Sequence, residues 1–231
     1  MEKILRLSYK LDAWMPLYPG SPCTELSMVK SKESGDSCYT SRIVISNHAG
    51  THIDGPAHFE TTGKRISDYD LNSLVFENIS VADCCKEAGS PIIPEDLEDC
   101  LSVNTDLLLI RTGFSKYRGP VAKGCENDVY CSNNPYLHSD TARMLREHRS
   151  SIRAIGIDCI SISSLANRDM GRSAHEILLS TGKYEKDPIL IIEDMFIPEG
   201  PPRIDKVIVV PLYCDDIDSA PCTILGFVAD D

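Results

Sequence analysis

Short apolar runs rich in leucine and β-branched residues, bounded by glycine, proline and aspartate, recur along this chain and commit it to a strand-rich fold. They are SRIVIS (41–46), ENISVAD (77–83), TDLLLIRT (105–112), RAIGIDCI (153–160), PILIIED (188–194), KVIVVPLY (206–213) and CTILGFVA (222–229). Near the start, Leu5, Leu7, Tyr9 and Leu11 alternate with Arg6, Ser8 and Lys10, the period of two that marks a strand with one buried face. Helical stretches are fewer: PEDLEDCL (94–101), with proline and acids in its first turn; SDTARMLREH (139–148), with Ser139 as N-cap; and GRSAHEILLS (171–180), stopped near Gly182. PLYPGSP (16–22) is a rigid loop. With no nucleotide-binding fingerprint, the pattern predicts an α/β fold with a mixed β-sheet core and few helices. The 231 residues contain no repeat and no linker, and one domain spanning 1–231 is expected. Residues 113–137, rich in glycine, asparagine, tyrosine and cysteine, read as a long excursion of the kind used for lids or oligomer contacts.

The formal net charge is -12, with no lysine- or arginine-rich run, so the surface field repels phosphate backbones and anionic lipid. Nucleic acid and membrane are therefore not expected partners. The first residues, MEKILRLSYKLDAW, mix charge with apolar residues where a signal peptide needs an unbroken apolar stretch, and no run approaches the ~20 residues of a membrane span. A cytoplasmic protein is expected. The ten cysteines form no C-x-x-C pair and read as reduced thiols; Cys125 and Cys131, which flank a polar loop, are the one pair whose spacing permits a bridge.

Three of the six histidines fall within NHAGTHIDGPAHF (47–59). His48, His52, Asp54 and His58 cannot share a helix face, because Gly50, Gly55 and Pro56 interrupt any helix there. In extended chain they share parity, so a strand end followed by turns can aim His48, His52 and Asp54 at one point, with Gly50 letting the backbone bend close. Two neutral imidazoles and a carboxylate are the donor set that Zn²⁺ and Mn²⁺ accept at an open catalytic site. A single histidine is more often an ordinary hydrogen-bonded residue; the density of this cluster is what points to a metal.

The stretch resembles the signature H-x-G-T-H-x-D-x-P-x-H-F of the cyclase family of metal-dependent hydrolases, which includes bacterial kynurenine formamidases and isatin hydrolases. All eight fixed positions match: His48, Gly50, Thr51, His52, Asp54, Pro56, His58 and Phe59. The loop PLYPGSP, the strand GIDCISIS (156–163), and the pair AHEILLSTG and ILIIED are similar to further segments of the family. The resemblance implies a swivelling β/β/α fold, assembly as a homodimer or homotetramer, and a metal site completed by His175 and Glu193. It implies a binuclear zinc site on the formamidase branch and manganese on the isatin hydrolase branch, so one or two zinc ions, or manganese, are expected here. Two departures stand out. KYEKDP (183–188) looks like an insertion that leaves Glu185 in competition with Glu193, and the segment after Asp158 lacks the proline and aspartate associated with formamidases.

A bound divalent ion brings the pKa of its water to about 7 and polarises a carbonyl, so hydrolysis of a small-molecule amide is the expected reaction. His58 is the candidate catalytic acid and base, the role the resemblance also implies, with a further metal ligand or an orienting residue as its alternative readings. Thr51 either orients a ligand or shapes the turn. Trp14 and Tyr18 are candidates for an aromatic substrate wall, and Arg168 and Arg172 for binding a substrate carboxylate, against ordinary core and solvated surface respectively. An N-formylkynurenine-type formamide leads the substrate classes. A lactam, lactone or ester, or a cyclisation running the same chemistry in reverse, is the first alternative; a metal-binding protein without turnover is the second.

Overall fold

The computed structural model describes residues 3–120, 128–148 and 151–228. Its strands are β1 (Lys3–Arg6), β2 (Glu25–Lys30), β3 (Thr40–Val44), β4 (His52–Asp54), β5 (Val75–Phe76), β6 (Ile79–Asp83), β7 (Pro91–Ile92), β8 (Leu107–Arg111), β9 (Tyr136–Leu137), β10 (Ala154–Ile157), β11 (Leu190–Glu193), β12 (Lys206–Pro211) and β13 (Ser219–Val228). The α-helices among the described residues are α1 (Val129–Ser132), α2 (Ser139–His148) and α3 (Arg168–Leu179).

Nine strands form one mixed sheet in the order β5-β12-β13-β4-β11-β10-β8-β6, with β1 also pairing β13. One half, β6-β8-β10-β11, is parallel. The other, β1, β5, β12 and β13, is antiparallel. The three residues of β4 join the halves, pairing antiparallel with both β11 and β13. Of the parallel strands, β8, β10 and β11 are buried on both faces, which explains their continuous apolar runs, whereas the edge strand β6 alternates. Leu108, Ile110, Ile155, Ile157 and Ile191 pack into the core beneath α2 and α3, whereas Leu107, Leu109, Ala154, Leu190 and Ile192 fill a second core on the opposite face with Ile53 and Ile224.

The observed fold is the mixed α/β architecture expected. Helix α2 has the expected bounds, but His138 caps it in place of Ser139: the His138 carbonyl accepts from the Ala142 N–H, and its Nδ1 accepts from the Asp140 N–H at 3.2 Å. Residues 94–101 form two short 3₁₀ turns, Pro94–Asp96 and Glu98–Cys100, because Leu97 is the only buried side chain among them and one anchor does not hold an amphipathic helix in place. The first strand ends at Arg6, and Leu11 is 40% exposed. Within the described part of the 113–137 excursion, Phe114 and Tyr130 are fully buried and anchor it to the core, while Lys116 and Tyr117 are exposed. Cys125 lies outside the described residues, and with it the Cys125–Cys131 pairing. Residues 183–188 are held by the buried Arg146, whose guanidinium donates to the carbonyls of Ser180 and Asp187 and lies over the Tyr184 ring.

Gly171 lets α3 pack closely on the loop that follows β10, since a Cβ there would sit 2.5 Å from the Ser163 Cα. Alanine gains about 1 kcal/mol in helix propensity, but a clash with backbone costs about 1–3 kcal/mol and displaces the helix that carries His175. Gly171→Ala is accordingly expected to lower the urea unfolding midpoint; a raised midpoint would show that α3 can shift without penalty.

Candidate active site

The cluster forms around β4, a separate three-residue strand, and not at the end of β3. Ile53 faces the second core, so alternation turns His52 and Asp54 to the side covered by α3. The same parity argument turns Glu193, two residues after Ile191, to that side, and the register sets Glu193 directly opposite His52. His48 comes from the turn before β4, where Gly50 takes a φ of +63°. His58 comes from the 3₁₀ turn Pro56–His58 that follows it, and His175 from the buried face of α3.

These six side chains converge on a cavity of about 350 Å³. Asp54 Oδ1 is fully buried, 3.1 Å from His48 Nδ1 and 3.5 Å from His52 Nε2, yet neither nitrogen is aligned to donate to it. A buried carboxylate oxygen without a donor and facing imidazole nitrogens is what a bound cation would satisfy. Asp54 belongs to two possible ligand groups, His48–Asp54–His58 and His52–Asp54–Glu193, whose ligand atoms lie within 4.8 Å of one another. His52 and His175 each turn Nδ1 to a backbone carbonyl, Gly50 at 2.8 Å and Gly171 at 3.0 Å, which leaves Nε2 facing the cluster. Those Nε2 atoms lie 3.4 Å and 3.2 Å from the Glu193 carboxylate, so the residues present fit a divalent metal.

Around the motif residues stand partners that the sequence did not single out, Asp218, Asp194, Arg118 and Tyr130 among them. Glu193 Oε1 accepts from the Ser161 hydroxyl at 2.9 Å and the Ile162 N–H at 2.7 Å. Asp218, just before β13, places Oδ2 2.6 Å from His58 Nδ1 and 3.2 Å from His48 Nε2. Thr51 shapes the backbone: its hydroxyl donates to the Asp194 carbonyl at 2.5 Å and accepts from the Tyr9 N–H at 3.0 Å, tying the histidine segment to the end of β11. Asp194 in turn accepts a bidentate pair from Arg118 and a hydrogen bond from Tyr130. Tyr18, Arg168 and Arg172 line the cavity. Trp14 is 62% exposed and does not line it; its N–H donates to the Asp12 carboxylate in a turn at the surface. Glu185 lines a different cavity from the one that holds Glu193.

The described chain matches the family model described as "Putative cyclase" over residues 5–164, well over half of its length. The chain belongs to this family. It is 27% identical over 219 residues to a kynurenine formamidase of Bacillus anthracis, covering 95% of this chain and 94% of that protein. It is 28% identical over 224 residues to a kynurenine formamidase of Geobacillus thermodenitrificans, covering 96% and 95%. Among solved structures, isatin hydrolase A from Labrenzia aggregata superposes with a TM-score of 0.79 at 21% identity, covering 99% of this chain and 94% of that one, a likeness of fold.

Charge in the cluster is tightly balanced. Burial alone would lower the pKa of His48, but the Asp54 and Asp218 carboxylates outweigh it and raise it from 6.5 to about 10. Burial opposes ionisation of Glu193, yet hydrogen bonds from His175 and His52 hold its carboxyl well below the ordinary range. Because the folded pKa of His48 is raised, protonated His48 stabilises the metal-free fold fully below about pH 6.5, and that contribution fades as pH climbs toward 10. Metal must displace this proton, so affinity for Zn²⁺ is expected to rise across the same window, with proton release on binding. Calorimetry at pH 7 in buffers of different ionisation enthalpy reads the release; equal heats in all buffers would exclude it.

Proposed function

We propose that this chain is a metal-dependent amidohydrolase that cleaves the C–N bond of a small aryl formamide of the N-formylkynurenine type. The observation that carries this reading is the donor-less Asp54 oxygen between two histidine–acid groups at the floor of an open cavity. The kynurenine formamidases that align with nearly the whole chain support the substrate class. His48, His52, Asp54, His175 and Glu193 would hold one or two ions, zinc before manganese; with His58 kept for proton transfer, Asp54 is the carboxylate placed to be shared if there are two. When bound, the metal supplies activation of water near neutral pH and polarisation of the carbonyl.

The chain's own residues do the rest. His58, fixed through Nδ1, presents its other nitrogen to the cavity, where it takes a proton from water and returns it to the departing amine nitrogen. Phe59, Ile160 and Tyr18 supply an apolar and aromatic wall for the ring. Arg168 and Arg172 stand on α3 at the same cavity; Arg172 is engaged by Glu176 at 3.0 Å, which leaves Arg168 to receive a substrate carboxylate.

We place the enzyme in the cytoplasm as a homodimer or homotetramer. Reduced thiols at Cys23, Cys38, Cys84, Cys85, Cys159, Cys214 and Cys222 accord with that compartment, and no helix among the described residues is long and apolar enough to cross a membrane. The hairpin β2–β3 is exposed throughout and carries Leu26, Met28 and Ile43 on one face, a surface that a second copy would cover.

Metal-loaded protein is expected to hydrolyse N-formylkynurenine at neutral pH, and a chelator to abolish the rate. No turnover by metal-loaded protein would remove this substrate in favour of a lactam or ester. Arg168→Gln is expected to lower kcat/KM for N-formylkynurenine about tenfold while sparing uncharged N-formylaniline; equal effects on both would dismiss Arg168 as the carboxylate site.

A further inference from the structure

We infer that Asp218 is the positioning residue for His58: its carboxylate fixes the imidazole tautomer and ring orientation that proton delivery to the leaving nitrogen requires. This rests on the amide-hydrolase reading.

The geometry specifies the role. Asp218 Oδ2 lies 2.6 Å from His58 Nδ1, so Nδ1–H donates to the carboxylate and the opposite ring nitrogen is the one left for the reaction. The carboxylate is itself held. Asn47 Nδ2 donates to Oδ1 at 2.7 Å, and the Asp218 carbonyl accepts from the Gly55 N–H at 3.1 Å, three residues ahead of His58. The acid and the turn that carries the imidazole therefore move as one unit. The same Oδ2 lies 3.2 Å from His48 Nε2, and the Ser219 hydroxyl lies 2.9 Å from that nitrogen, which leaves His48 Nδ1 facing Asp54. Asp218 thus reaches both the acid–base histidine and a proposed ligand from the loop just before β13, 160 and 170 positions away in sequence.

In the reaction the water oxygen bonds to the formyl carbon, the C–N bond breaks, and one proton passes from water through His58 to the amine nitrogen. Asp218 transfers no proton; it steadies the imidazolium that exists between the two transfers.

The test is a leaving-group comparison on the metal-loaded enzyme. An anilide nitrogen must be protonated to depart, whereas 4-nitrophenolate leaves without a proton. Asp218→Asn keeps the shape but offers an N–H to Nδ1, which favours the wrong tautomer. For N-formylaniline, kcat is expected to fall about 10²–10⁴-fold, with KM within about threefold of wild type and metal content unchanged. For 4-nitrophenyl formate, which still calls on His58 to take the proton from water but not to deliver one to the leaving group, the fall should be at least about tenfold smaller than for the anilide. Asn47→Ala, which loosens the carboxylate without removing it, should shift the same ratio in the same direction by less. Equal losses on both substrates, loss of metal, or no loss would each overturn the inference. A wild-type enzyme that hydrolyses the ester and not the anilide would overturn the amide reading and this inference with it, whereas anilide turnover with an unchanged ratio in Asp218→Asn would overturn the inference alone.

Discussion

The pairing of one three-residue strand on both of its edges is the constraint from which the site follows. β4 is hydrogen-bonded to β11 on one side and β13 on the other, with His52 opposite Glu193 and Asp54 opposite Ser219. That register draws together residues separated by some 140 to 170 positions, and it joins the parallel and antiparallel halves of the sheet. A slip of one residue would turn His52 and Asp54 into the apolar core that holds Ile53. Burying two carboxylates and three imidazoles at this junction is unfavourable unless their charges are neutralised, and the mutual pairing of His48, His52 and His175 with Asp54 and Glu193 meets that need only in part, since one Asp54 oxygen still lacks a donor.

A second layer holds this junction rigid. Asp194, immediately after Glu193, has a left-handed φ of +50°, a conformation that a non-glycine residue keeps only when its surroundings impose it. Here the imposition comes from Thr51 on its carbonyl, Arg118 and Tyr130 on its carboxylate, and the stacking of Arg118 on the Tyr9 ring at 3.7 Å. The first strand region, the histidine segment, the 113–137 excursion and the end of β11 thereby meet at one buried ion pair. Rigidity of this kind is what a metal site and a positioned general acid require.

Much of the arrangement was legible from the residues. The parity of His52 and Asp54, the glycine needed between His48 and His52, and the apolar runs of the parallel strands all follow from local rules. His175 and Glu193 were accessible only through family resemblance, because a histidine on an amphipathic helix and an acid at a strand end have no local mark of function. Asp218 was not found at all. Its one signal is an acidic cluster, DDID (215–218), ahead of the last strand, and only the pairing of β13 with β4 gives it meaning. Leu11 was misplaced for a related reason: periodicity assigns a face, but which face is covered depends on neighbours distant in sequence; Trp14, named because it flanks the proline loop, is exposed instead of facing the cavity.

The central claim is that Asp54 is the shared anchor of a catalytic metal site. Anomalous X-ray diffraction from crystals of the active, zinc-loaded protein tests it most directly. The account predicts anomalous density in contact with Asp54 and with His52 or His48, at ligand distances of about 2.0–2.2 Å, and its loss in Asp54→Asn. Fully occupied metal bound elsewhere in an active enzyme, with Asp54 uncoordinated, would contradict it.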